Sequence, residues 1–246
     1  MTANSMVFLA GCLRSLNGVF DGRIESNVIV EMYNNALKIM QKWYGSVEFQ
    51  TAIFFSGLAG FYSFEKKFEK ALELYEQVLQ VRLKSHGELH VDIAWTLNSI
   101  GNCYMKQPSM IHLAGDYYRQ AIAVLESLSL EGSKNLGWTQ VALARWLVAT
   151  KSSDRSQLEE ALFLVSSSIQ IYEKSLPAQS PRLAQSLLLL AEVSFLLNHP
   201  IDTCMASLTR ASQIFQNAYG DCCIPLVKCQ NLLSQIKSLK PPITVD

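Results

Sequence analysis

Two clusters in this 246-residue sequence have residue types and spacing that could do chemistry. His86 and His90 flank Gly87-Glu88-Leu89. In a helical HExxH site, a glutamate directly after the first histidine acts as general base while the two imidazoles hold zinc on one face. Gly87 occupies that glutamate position and also breaks the helix, so the stretch reads as a turn between helices. Cys222-Cys223 with Cys229 offers soft ligands, but structural zinc takes four and no fourth lies nearby. The remaining cysteines, Cys12, Cys103 and Cys204, are scattered, and no CxxC pair occurs. They read as free thiols packed as small apolar residues in a reducing compartment. GxxxxGK, GxGxxG and GxSxG are all absent, so phosphate cradles and nucleophile elbows lack their signatures. The expectation is a protein that is not an enzyme, with no catalytic residue, no metal and no cofactor.

Composition narrows the rest. Lys+Arg and Asp+Glu balance at 21 each and the pI is near 6.9, which gives no footprint for nucleic acid or an anionic membrane surface. With 49% hydrophobic residues the chain has enough apolar surface to fold. The longest charge-free stretch within its apolar part lies between Glu48 and Glu65; those 16 residues fall short of the ~20 a spanning helix needs. Leu9-Ala10-Gly11-Cys12 has the form of a lipoprotein cleavage box. However, Met1 to Ser5 carries no basic residue and only Met6, Val7 and Phe8 precede it, so it reads as part of a short amphipathic helix. A cytoplasmic location follows as the expectation.

The elements that position these residues come from an internal repeat. EMYNNALKIMQKWYG, ending at Gly45, registers with ELYEQVLQVRLKSHG, ending at Gly87, at an offset of 42, and the same slots recur at offsets of 43, 47 and 43. One column reads Ile29, Ala71, Ala114, Ala161, Cys204. The next is Tyr33, Tyr75, Tyr118, Val165, Leu208, followed by Ala36, Val78, Ala121, Ser168, Ala211 and then Ile39, Val81, Val124, Ile171, Ile214. Steps of 4, 3 and 3 put all four on one helical face. A preceding helix carries Leu58, Ile100, Leu143, Leu190, Leu233, each followed by Ala59, Gly101, Ala144, Ala191 or Ser234. Gly45, Gly87, Pro177 and Gly220 punctuate the long second helix, with Gly132 near the third break. Each unit is thus a helical hairpin that cannot bury its apolar face alone and must stack on its neighbours. The chain reads as a single helical-repeat domain over 1–246, with an irregular N-terminal helix (1–25), repeats over roughly 27–220 and a C-terminal capping helix (222–240).

The order Phe55, Leu58, Ala59, Tyr62, Ala71, Tyr75, Val78 resembles the tetratricopeptide repeat. The long period and the stretch YEQVLQVRLKSHGELHVDIAWTLNSIGNCY are similar to the subclass of kinesin light chains, with His90-Val91-Asp92-Ile93-Ala94 where those proteins show His-Pro-Asp-Val-Ala. The resemblance implies an all-α, right-handed superhelical solenoid of antiparallel helix pairs, acting as a non-catalytic scaffold that binds a partner protein or peptide in its concave groove. Cytoskeletal or motor machinery is the implied class of partner. It also implies an asparagine on each first helix; Asn98 and Asn231 match, whereas Ser56, Val141 and Leu188 stand in the other slots.

In that family the first-helix face opposite the Leu–Ala stripe lines the groove. Its slots hold Ile53, Ser56 and Gly60; Trp95, Asn98 and Asn102; Trp138, Val141 and Arg145; Gln185, Leu188 and Glu192; and Lys228, Asn231 and Gln235. Tryptophan and arginine dominate interface hot spots. The candidate partner-binding residues are therefore Trp95, Asn98, Asn102, Trp138, Arg145, Glu192 and Asn231, with core packing as the competing role for the two tryptophans. Charge points to an alternative. Residues 65–92 hold 11 charged side chains in 28 positions, but Leu183 to Asp246 only 8 in 64. Together with a mean hydropathy of +0.13, this suits a structural subunit embedded in a larger assembly, which the resemblance implies is microtubule-based or ciliary.

Overall fold

The computed structural model describes residues 26–44, 48–130, 132–151, 154–221 and 223–239. The helix expected over 1–25, Cys12, Gly45 and Cys222 lie outside them. The described residues form ten α-helices and no strand: α1 (Ser26–Tyr44), α2 (Glu48–Phe64), α3 (Phe68–His86), α4 (Val91–Met105), α5 (Ile111–Ser127), α6 (Lys134–Lys151), α7 (Arg155–Ser175), α8 (Pro181–Leu196), α9 (Ile201–Tyr219) and α10 (Ile224–Leu239). This is an all-α helical-repeat fold.

The chain divides at Leu128/Ser129 into two compact units. In the first, α2 pairs with α3 and α4 with α5, while α1 covers α2 and α3 packs on α4. In the second, α6 pairs with α7 and α8 with α9, α7 packs on α8, and α10 closes on α9. First helices of successive hairpins also touch: α2 meets α4, α6 meets α8, and α8 meets α10.

Three of the four second-helix columns are the cores of these units. In the fourth, Ile171 and Ile214 are buried but Ile39, Val81 and Val124 only half-buried. In the first-helix column Ile100 and Leu143 are buried but Leu58, Leu190 and Leu233 half-buried. Ile29, Ala71, Ala114, Ala161 and Cys204 are all buried, as are Tyr33, Tyr75, Tyr118, Val165 and Leu208, and Ala36, Val78, Ala121, Ser168 and Ala211. On the facing helices Ala59, Gly101, Ala144 and Ala191 are buried, but Ser234 on the terminal α10 is exposed. Small residues let helix backbones approach closely, and the aromatic or branched residue one turn on fills the space beside them. At Gly101 the approach is at its limit, because a Cβ there would lie 2.6 Å from Tyr118 Cε1.

Helix ends follow local chemistry. Gly87 ends α3 at φ 76°, ψ −173°, and Gly220 ends α9 at φ 78°, ψ −174°, with their N–H groups donating to the carbonyls of Leu83 and Gln216. That backbone region is essentially reserved for glycine. Within hairpins, α2 and α8 end through left-handed Lys66 and Asn198, with Lys67 N–H donating to Tyr62 O and His199 N–H to Ser194 O. This is the Schellman pattern. Asp154 caps α7 by accepting from Ser156 N–H, and Pro181 opens α8, where its missing N–H costs nothing. Leu176 caps α7 just before Pro177, as a proline-marked stop requires. The break expected near Gly132 falls earlier: α5 stops at Ser127, and Ser129 takes the left-handed conformation at φ 53°. No helix among the described residues is long and apolar enough to cross a membrane.

Candidate functional site

The first-helix slots resolve into three kinds of position. The leading slot is open: Ile53, Trp95 and Trp138 are 45%, 46% and 43% exposed. The middle slot is floor, since Ser56, Asn98, Val141 and Leu188 are all buried. The trailing slot is graded, with Asn102 and Glu192 half-buried and Arg145 exposed. On the terminal α10, Lys228, Asn231 and Gln235 are all exposed. Trp95 and Trp138 are therefore surface residues, not core.

Each of these tryptophans is braced by an arginine. In the first unit, Arg82 of α3 lies 5.5 Å from the centre of the Trp95 ring, and Tyr75 meets that indole edge-on at 6.3 Å. Arg82 is itself buried, with Nη1 donating to Thr96 Oγ1 at 2.6 Å and to Asp92 O at 2.9 Å. Burial lowers its pKa, opposed by the nearby Asp92 carboxylate. In the second unit, Arg182 in the first turn of α8 lies 4.6 Å from the centre of the Trp138 ring on α6. Such cation–aromatic contacts hold an indole in one orientation while leaving its edge available.

Polar groups around each indole differ. Asn98, just under Trp95, is buried with Oδ1 lacking a hydrogen-bond partner among the described residues. Asn102 Oδ1 accepts from Tyr118 Oη at 3.0 Å, so that side chain is committed to the hairpin interior. In the second unit, Gln140 Oε1 is likewise buried without a partner. Burial pushes the Glu192 carboxyl above its ordinary range, only partly offset by Lys228 on α10 and Arg145 on α6. Tyr172 of α7 is pushed up to about 12 by burial, against the pull of Arg182 and Arg145. The α6–α8–α10 face thus presents an indole, three cations and one reluctant carboxylate.

Arg82, Arg182, Gln140 and Tyr172 were not among the sequence candidates. For Arg82 a signal existed, because it continues the buried stripe Ala71, Tyr75, Val78 at helical spacing. Arg182 gave none, since its partner lies on a different helix.

Residues 50–127 match the family model for the tetratricopeptide repeat. No curated protein matches the chain. Among solved structures, BtubC (BKLC) from P. vanneervenii matches with a TM-score of 0.71 at 19% identity, over 89% of this chain and 83% of that one. Nearly identical TPR-like repeats assigned to a kinesin light chain of Podosopora anserina match at 0.63 and 20% identity, over 89% of this chain and 97% of theirs. The apo form of RapI matches at 0.67 and 12% identity, over 94% and 83%. At these identities the likeness is one of fold.

Proposed function

We propose, from the premise that residues 50–127 are tetratricopeptide repeats within an all-α repeat fold, that this chain is a non-catalytic scaffold. It holds a partner protein or peptide against its first-helix faces. The observation that carries this reading is the pair of half-exposed tryptophans in corresponding slots, each braced by an arginine. A braced indole loses little freedom when a ligand arrives, so more of the contact energy appears as affinity. Arg182 lies against Trp138, and Arg145, Glu192, Lys228 and Asn231 supply polar groups on the first-helix faces of the same unit. The unpartnered Asn98 Oδ1 can accept from a ligand that reaches the floor under Trp95. A cytosolic, cytoskeletal or motor-associated partner is the first class to test, given the likeness to kinesin light chain repeats.

The second reading, a subunit embedded in a larger assembly, is favoured by the apolar end of the chain. There Tyr219, Ile224 and Val227 are 57%, 76% and 45% exposed, in a stretch with few charges.

The test is affinity capture with three variants, each confirmed helical by circular dichroism: Trp95→Ala, Trp138→Ala, and Tyr219→Ser with Ile224→Ser. A partner lost with either tryptophan and retained by the third variant supports the scaffold. If every bound protein ignores both tryptophans and leaves with Tyr219 and Ile224, the embedded-subunit reading replaces it.

A further inference from the structure

The geometry points to a binding site for one borderline divalent cation of the Zn²⁺ class, formed by His86, His90 and Asp92 where α3 hands over to α4. The turn that removes His86 and His90 from any common helix does not separate them. It folds them face to face, with ring centres 4.0 Å apart and planes within 12°. Asp92 joins from the first turn of α4, its Oδ2 lying 3.8 Å from His90 Nδ1. One potential ligand atom from each of the three falls within 4.8 Å of the others, and all three residues are half-buried.

Two imidazoles and a carboxylate form a three-ligand set of the open kind, which leaves the fourth position of zinc to water; zinc takes nitrogen at ~2.0–2.1 Å and oxygen at ~2.0–2.2 Å. Two ligands on a tetrahedral ion at those lengths stand roughly 3.4 Å apart, so the His90–Asp92 pair needs only a small inward movement. The stack must open further, because a metal lies in the plane of each imidazole it binds and parallel rings share no such plane. Rotating either ring resolves this. Protonation bookkeeping sets the second requirement. In the metal-free form His90 Nδ1 accepts from Asp92 N–H at 3.1 Å and caps α4. A neutral imidazole has one lone pair to give, so binding through either nitrogen of His90 surrenders that cap. The cation meets the favourable C-terminus of α3 and the unfavourable N-terminus of α4, which oppose each other, leaving the ligands to decide affinity. A bound ion would tie the end of one hairpin to the start of the next within the first unit.

The experiment is titration of the full chain, purified with chelator, with Zn²⁺ by calorimetry and with Co²⁺ by absorption. The variants are His86→Gln and His90→Asn, the latter because asparagine preserves the capping function. The expected result is one equivalent bound by wild type. The Co²⁺ spectrum should lack a thiolate charge-transfer band, which separates this site from the cysteines. Each variant should lose about tenfold or more in affinity, at the scale by which even outer-shell partners of metal sites matter. No stoichiometric uptake by wild type, a thiolate band, or undiminished binding in both folded variants would each overturn the proposal.

Discussion

Replacing Gly101 by alanine tests the packing rule of the repeat directly. Its new Cβ would sit 2.6 Å from Tyr118 Cε1 and 2.9 Å from Cδ1, where an ordinary carbon–carbon contact is about 3.5–4.0 Å. The ring must therefore retreat by about 1 Å, yet Tyr118 is 1% exposed and its hydroxyl is engaged with Asn102. Overpacking of this kind costs about 1–3 kcal/mol, and a weakened hydrogen bond adds about 1 kcal/mol. Alanine returns about 1 kcal/mol of helix propensity over glycine, leaving a net loss of roughly 1–3 kcal/mol. The next hairpin carries Ala144 and Val165 in the corresponding slots, which supplies the compensating change, Tyr118→Val. In that background the clash is gone, and Gly101→Ala should stabilise by about 1 kcal/mol through propensity alone. Urea unfolding followed by circular dichroism reads all four members of the cycle, compared at constant slope. The expected signature is a change of sign. If Gly101→Ala has the same effect in both backgrounds, within about 0.5 kcal/mol, the close approach is not what holds glycine there.

Other perturbations separate the remaining causes. Gly87→Ala and Gly220→Ala should each cost of order 1–3 kcal/mol in urea unfolding, because their backbone region excludes a Cβ, whereas Gly132→Ala should be near neutral. Arg82→Ala should cost about 1–3 kcal/mol through the donor lost by Thr96 Oγ1 and the lost packing of its buried stem, while Asp92 O keeps Thr96 Oγ1 as a donor at 2.7 Å. Arg82→Met, which keeps the apolar stem, should cost less. Glu192→Gln should stabilise the protein at pH 7. With its folded pKa raised by burial, the carboxyl's contribution is fully present below its ordinary value of 4.5 and is lost as pH rises through the raised one. Thermal melts from pH 3 to 8 should therefore show the variant's advantage vanish on the acid side, and an advantage independent of pH would refute the assignment.

The core was readable because it repeats: a column sampled five times averages out local accidents, and small–aromatic–small at helical spacing admits one buried face. The middle slots of the first helices were harder. Asn98 is polar by type and so looks suited to a surface, yet it is buried like Ser56, Val141 and Leu188 in the same slot. The exposure of Trp95 and Trp138 was undetermined by periodicity, because an indole satisfies a core or a surface slot equally well. The Arg182–Trp138 contact and the His86–His90 stack were out of reach because they arise where one helix meets another, and no spacing within a single helix encodes such an encounter, whereas the burial of Arg82 follows the stripe of its own helix. Gly132 misled for a related reason: a left-handed serine ended α5 before the glycine was needed.

The arginine-braced indoles also make this molecule its own optical probe. The sequence holds only four tryptophans, and the two at the candidate surface sit one in each compact unit, each half in water with a cation against it. A ligand that dries the indole edge or lifts the guanidinium away changes the polarity around the excited ring, and so the wavelength and yield of its emission. Variants that keep Trp95 or Trp138 as the sole tryptophan, excited to the red of tyrosine absorption, would therefore report, without any added label, which half of the chain a partner touches and at what concentration.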